Sequence, residues 1–275
     1  MDGATYQGIA LDGDAALALL EWQMEMGADV PVMDDPVDRF DLPARVPAPE
    51  LPAIAVEAAP KIPPIPSEAD DLAQRVAQAK SLAAGATSLE DLATVQERFD
   101  GVELKKGARN FCFADGRPNA RVLILGEAPG DEEDRQGRPF VGRAGRLLDQ
   151  MFGAIGMARD AVDADKAVYI TNVLTWRPPG NRDPSADEIL LSMPFLERHI
   201  QLADPDIIVL MGNIACQAAL EKRGILRLRG QWVQAFGRPA LPMTHPAYLL
   251  RNPAAKRDAW SDLLSLSAKL ESLSV

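Results

Sequence analysis

Three polar side chains stand just past apolar runs: Glu127 after "RVLIL" (121–125), Asn172 after "AVYIT" (167–171) and His245 after "ALPMT" (240–244). A carboxylate can position or activate a water. A carboxamide offers a donor and an acceptor to a base edge, and an imidazole can serve a leaving group. A fourth run, "DIIVLM" (206–211), ends in Gly212-Asn213. Glu127 also opens a crowd of acids, with Asp131, Glu132, Glu133 and Asp134 following within seven residues. Contiguous acids point in different directions, so a Mg²⁺ site here competes with a charged, solvated loop or helix start. Zinc needs three or four ligands, and no cysteine or second histidine lies at ligand spacing from His245. "GEAPG" is neither G-x-G-x-x-G nor a Walker loop, and five carboxylates would repel a phosphate. His199, mid-helix in "LERHIQLAD", reads as a packing or surface residue. Pro246 is read as barring a helix directly after His245, which leaves the imidazole on a rigid turn.

The elements that must position these groups alternate. Ser67 and Thr87 open two helices, with Thr87 and Glu90 spaced as a capping box. Strand 121–125 precedes the helix "GRAGRLLDQMFGAIG", and strand 167–171 leads through a Pro-rich loop to a helix capped by Ser185 and Glu188. Strand 206–211 precedes "NIACQAALEK", strand 240–244 comes last, and a helix near 255–271 closes the chain. Alternation of this kind predicts an α/β fold, a three-layer αβα sandwich around a central four-stranded parallel sheet. In such sheets ligands bind beyond the carboxyl ends of the strands. Glu127, Asn172 and His245 all fall there, which predicts one shared pocket.

The N-terminal third differs. Residues 13–27 read as an amphipathic helix with Leu17, Leu20, Met24 and Gly27 on one face, in a segment 1–30. Residues 31–66 hold ten prolines in 36 positions and are predicted to form an extended, acidic linker, leaving 67–275 as the α/β domain. Net charge is −11, but residues 1–100 carry −13 and residues 101–275 carry +2. The acidic average therefore does not exclude DNA as a partner of the arginine-rich remainder. No apolar run reaches the roughly 18 residues of a membrane span, and no signal peptide is read. Two cysteines rule out a disulfide framework and fit a reducing cytoplasm.

The motifs "GEAPGDEED", "GRPFVGRAGRLLD", "TNVLTWRPPGNRDP", "DIIVLMG" and "THPAYLLRNP" resemble, in order and spacing, those of type-4 uracil-DNA glycosylases, from about residue 99 to 270. The resemblance implies a uracil-DNA glycosylase-like fold and hydrolysis of the N-glycosidic bond of uracil in single- or double-stranded DNA. It implies that Glu127 orients or activates the water. Glu133 would wall the pocket against the thymine methyl group, Phe140 would stack on the flipped uracil, and Asn172 would bind its edge. His245 would stabilise the departing uracil, and Tyr248, Leu249, Leu250 and Arg251 would push into the duplex. These roles suit the chemistry, because a base inside a stack must be extruded before its glycosidic bond can be reached.

The sequence departs from the family pattern at one place. Family members usually carry four cysteines around an iron–sulfur cluster. By register those positions are Phe99, Val102, Trp176 and Met193. None is an ordinary iron ligand, so no cofactor is expected. A dry apolar cluster is expected instead, worth roughly 1.5–3 kcal/mol per buried side chain. Two other functions compete with uracil excision. One is a non-catalytic DNA-binding or scaffold protein that recruits repair or replication partners through the N-terminal helix. The other is a hydrolase of free nucleotides, against which the arginines near the site, Arg251 among them, argue modestly.

Overall fold

A computed structural model describes residues 5–6, 9–10, 12–27 and 68–273. The chain divides into two compact units, Met1–Ile62 and Pro63–Val275. In the first, β1 (Thr5–Tyr6) pairs antiparallel with β2 (Ile9–Ala10), and α1 (Gly13–Glu25) follows. Leu17, Leu20 and Met24 are exposed on α1. The proline-rich segment 31–66 lies outside the described residues.

The second unit opens with α2 (Glu68–Gly85) and α3 (Leu89–Arg98). The cap of α3 sits one residue later than the Thr87–Glu90 spacing suggests: the Ser88 side chain accepts from Asp91 N at 3.1 Å. Thr87 instead donates its hydroxyl to the Asp91 carboxylate at 2.7 Å. Then come β3 (Ala114–Gly116), β4 (Val122–Gly126), α4 (Asp131–Gln136), α5 (Arg143–Gly153), β5 (Val168–Asn172), α6 (Ala186–Ala203) and β6 (Ile207–Met211). The chain continues with α7 (Asn213–Leu220), α8 (Ile225–Leu228), β7 (Val233–Ala235), β8 (Arg238–Met243), α9 (Pro246–Arg251) and α10 (Lys256–Leu273). Ser185 and Glu188 form the full capping box of α6.

These strands form one sheet of order β3-β5-β4-β6-β8-β7. The inner four, β5, β4, β6 and β8, are parallel, as the alternation requires. Two short antiparallel edge strands extend the expected four to six. At the β7–β8 hairpin, Phe236 and Gly237 both adopt positive φ (52° and 75°), the backbone of a tight two-residue turn.

Side-chain alternation splits the strands between two cores. Val122, Ile124, Ile170, Val209 and Met243 pack under α5, α9 and α10. Leu123, Leu125, Tyr169, Ile208 and Leu210 pack under α6 and α7. A third cluster joins α2 and α3 to α6 and to the segment after β5. The result is the three-layer sandwich, with one extra helical layer over α6.

Candidate active site

Strand order points to where the site lies. The chain leaves β4 for β5 on one side and returns to β6 on the other, which makes the carboxyl end of β4 the switch point at which ligands bind in sheets of this kind. Gly126 ends β4 directly opposite Asn172 at the end of β5. Gly212 follows β6 and donates its N–H to Met243 O at 3.0 Å, two residues before His245. A Cβ on Gly126 would overlap both Asn172 Oδ1 and the Phe140 ring, and one on Gly212 (φ +94°) would stand 3.2 Å from His245 Cβ. Two glycines thus let Asn172, Phe140 and His245 approach the strand ends.

Asn172 is 3 % exposed, and its Oδ1 has no hydrogen-bond partner. A buried orphan acceptor costs about 1–3 kcal/mol, so it marks a place where an incoming donor is wanted. Phe140 is buried with φ +52°, a left-handed backbone that costs a bulky residue roughly 1–3 kcal/mol. Its ring lies 5.3 Å from the His245 ring, the two planes 29° apart.

His245 is the N-cap of α9, and its Nδ1 accepts from Ala247 N at 3.1 Å. The expected rigid turn after His245 is therefore a helix. Pro246 occupies its first position, where a missing N–H costs nothing. Burial pushes the imidazole pKa down to about 4; the Arg251 charge acts the same way and Glu133 opposes it. At neutral pH the ring is uncharged. With Nδ1 used as an acceptor, its proton sits on Nε2.

Helix periodicity also divides the four residues read as the duplex-entering loop. Leu249 is 1 % exposed and packs in the core under α9, and Tyr248 leans on the same core. Leu250 and Arg251 reach the surface. Leu249 thus faces the core and not the surface.

The acids separate by contact. Burial raises the Glu127 carboxyl above its usual range; Asp183 adds to the rise and Arg223 pulls against it. Glu133 Oε1 accepts from Val141 N at 3.1 Å and Gly142 N at 2.9 Å, which ties α4 to the turn carrying Phe140. Asp134 is buried and accepts from Arg109 N and Asn110 N. Asp131 pairs with Arg135 and Arg177, and Glu132 lies 3.7 Å from Arg146. No group of three or more His, Cys, Asp or Glu among the described residues could hold a metal ion. His199 is a buried packing residue, bonded to Tyr169 Oη at 2.9 Å and stacked on Phe113.

Phe99, Val102 and Trp176 do converge. They line a cavity of about 10 Å³ with Leu104, Leu174 and Phe195. Met193 does not join them: it packs toward the β-sheet side of α6. Neighbouring helix residues differ by about 100°, and the residue that lines the cavity is Ser192. The cluster is not wholly apolar either, since Gln96 Nε2 donates to Thr175 Oγ1 at 3.3 Å on its wall. These residues do not fit an iron–sulfur cluster. They offer no thiolate, and the space left holds one water at most. Cys112 and Cys216 are buried elsewhere, their thiols pushed up to about 12 by burial.

The uracil DNA glycosylase superfamily model matches residues 113–264. The chain is 41 % identical over 158 residues to a type-4 uracil-DNA glycosylase of Sulfurisphaera tokodaii, covering 54 % of this chain and 69 % of that protein. It is 39 % identical over 146 residues to the type-4 enzyme of Thermotoga maritima, covering 52 % and 73 %. It is 37 % identical over 169 residues to that of Archaeoglobus fulgidus, covering 58 % and 82 %. The chain belongs to the uracil DNA glycosylase superfamily.

Reading the sequence as a superfamily member still misses several residues around the pocket. Arg159 bonds the Phe140 carbonyl from a loop without a motif. Asp183 and Arg223 reach Glu127 by charge alone. The need for Gly126 and Gly212 was hinted at by their places after strands, but the contacts that require glycine come from other segments.

Proposed function

We propose that this protein hydrolyses the N-glycosidic bond of uracil in DNA, releasing uracil and leaving an abasic site for base excision repair. The observation that carries the reading is the buried, unpartnered Oδ1 of Asn172 beside Phe140 and Gly126. Uracil N3–H is a donor of the kind this acceptor lacks. The base leaves the stack at a cost of about a few kcal/mol, and an aromatic platform such as Phe140 returns roughly 1–3 kcal/mol.

The C1′–N1 bond breaks and its electron pair leaves with the uracil. His245 donates from Nε2 to the charge growing on the base, a contribution worth about 10²–10³ in rate. Water adds its oxygen to C1′ and loses a proton to Glu127, whose raised pKa makes it the stronger acceptor. Glu133, fixed to the backbone beyond Phe140, is the wall that rejects the thymine methyl group. Leu250 and Arg251 are the surface residues that meet the duplex. Both single- and double-stranded DNA are substrates, the single strand more readily because no pair must open.

The catalytic domain, 67–275, works without an iron–sulfur cluster, with the cavity residues holding the same segments. The helix α1 docks a repair or replication protein. Its exposed Leu17, Leu20, Trp22 and Met24, with Asp14, Glu21 and Glu25 and no basic residue, suit an apolar groove with a basic rim. No described helix is long and apolar enough to cross a membrane. The two free, buried cysteines support a cytoplasmic location.

The test is incubation with a uracil-containing oligonucleotide, followed by alkaline cleavage of abasic sites. Cleavage that His245→Ala and Glu127→Ala each reduce by about 10²-fold or more is the expected result. Tight binding without cleavage by the wild type would establish a DNA-binding protein instead.

A further inference from the structure

Phe140 holds a strained backbone, and something must hold it there. Gly145 is buried against its carbonyl, where any Cβ would overlap that carbonyl. Glu133 holds the N–H groups of Val141 and Gly142 on its far side, and the carbonyls are held by Arg159, from the loop between α5 and β5. Its Nη2 donates to Phe140 O at 2.8 Å and its Nη1 to Pro139 O at 3.3 Å. The guanidinium is itself fixed by two carboxylates, Asp115 at 2.7 Å and Asp149 at 2.9 Å. Its side chain is only 16 % exposed, so the contacts to the two carbonyls and to Asp115 are partly shielded from water. A planar fork that reaches two carbonyls and two carboxylates at once has no equivalent in lysine.

We propose that Arg159 is a positioning residue for uracil excision: it locks the Pro139–Phe140 carbonyls and so holds the Phe140 ring as the platform for the flipped base. Without it two carbonyls lose their donor and the left-handed turn is free to relax. The ring then leaves its place against Gly126, Asn172 and His245. A shift of about 1 Å in a positioning group costs about 10²-fold in rate. The inference rests on the glycosylase reading above.

The experiment is a double-mutant cycle on the full chain: wild type, Arg159→Gln, Phe140→Leu and the pair. The readouts are single-turnover uracil release from a single-stranded oligonucleotide and inhibition by free uracil. Arg159→Gln is expected to slow release about 10- to 100-fold and to weaken inhibition by free uracil. The pair should be no slower than Phe140→Leu alone, because both changes remove one platform. Arg159→Lys, which keeps charge but not the fork, should fall between wild type and Arg159→Gln, and it serves if Arg159→Gln does not fold. Losses that multiply in the pair, or wild-type uracil inhibition in Arg159→Gln or Arg159→Lys, would overturn the proposal. A wild-type protein that releases no uracil would instead overturn the glycosylase reading itself.

Discussion

Replacing Asn172 with leucine should make the protein both more stable and nearly inactive. The side chain is 3 % exposed and its Oδ1 has no partner, so the folded state carries the desolvation cost of that oxygen uncompensated. That cost is about 1–3 kcal/mol. Leucine keeps the branch at Cγ and replaces both polar atoms, the orphan Oδ1 and the Nδ2, with methyl groups. For a unit of this size each kcal/mol moves Tm by roughly 2–4 °C, so Asn172→Leu should melt about 2–12 °C higher. The same change removes the acceptor for uracil N3–H, and a site that loses a designed hydrogen bond to its substrate drops by at least about 10²-fold. Thermal unfolding and single-turnover release from a uracil oligonucleotide measure the two effects on one preparation. A lower Tm would mean that the amide has a structural partner and the reasoning about the orphan oxygen is wrong. Wild-type release would mean that Asn172 does not read the base.

Three further outcomes follow from the same contacts. Glu133→Ala should raise thymine release relative to uracil about tenfold or more, since a methyl group is worth roughly 1–3 kcal/mol in a fitted pocket; unchanged rejection of thymine on a T-containing oligonucleotide counts against the wall. Trp176→Ala should lower stability by about 3–5 kcal/mol in denaturant unfolding, while an iron chelator leaves the wild-type rate unaltered; a rate lost to the chelator would place a metal in the working protein. Stability should also fall as pH drops below about 6.5. His199 is held down to about 3 and His245 to about 4, both first by burial, so in this window the unfolded chain binds protons that the folded chain refuses. The stabilisation is complete above pH 6.5 and lost on the way down to these values, and His199→Gln should flatten the acid limb of a pH series of unfolding curves.

The parallel core of the fold was legible because each inner strand is a short apolar run bounded by punctuation and followed by a helical period. The edge strands were not. β3 and β7 are three residues each, and neither shows a run long enough to display alternation. Asn172 and His245 were legible as residue types at strand ends, which parallel strand order brings near one another whatever the loops do. What stayed hidden was contact between segments distant in sequence, such as Arg159 on the Phe140 carbonyl or Glu133 on the backbone of Val141 and Gly142. Two readings of local geometry were wrong for the same reason: a residue's neighbours in sequence were used where helix phase decides. Pro246 starts a helix instead of preventing one, and Ser192, not Met193, faces the small cavity.

Five residues connect that cavity to the strand ends. Asn172 lies beside Gly126 and Phe140. Val173 N then donates to Gly126 O and Leu174 N to Glu127 O, each at 3.0 Å. Thr175 O accepts from Cys112 N at 2.9 Å, and its hydroxyl accepts from Gln96. Trp176 closes the run, buried among Phe99, Val102 and Leu174 and 5.0 Å from the Phe111 ring. The segment that carries Asn172 and bonds the backbone of Glu127 is thus anchored at its far end by packed side chains. A metal cluster at such a place would pin the segment by coordination. Here burial does it, which asks for bulk and fit at Phe99, Val102 and Trp176 rather than for any particular ligand atom. The acids sort by the same logic of anchoring. Asp134 and Glu133 spend their oxygens on backbone N–H groups and fix the turn around the pocket. Among the described residues no backbone N–H donates to the Glu127 carboxylate, which leaves it open for the role in water activation proposed above.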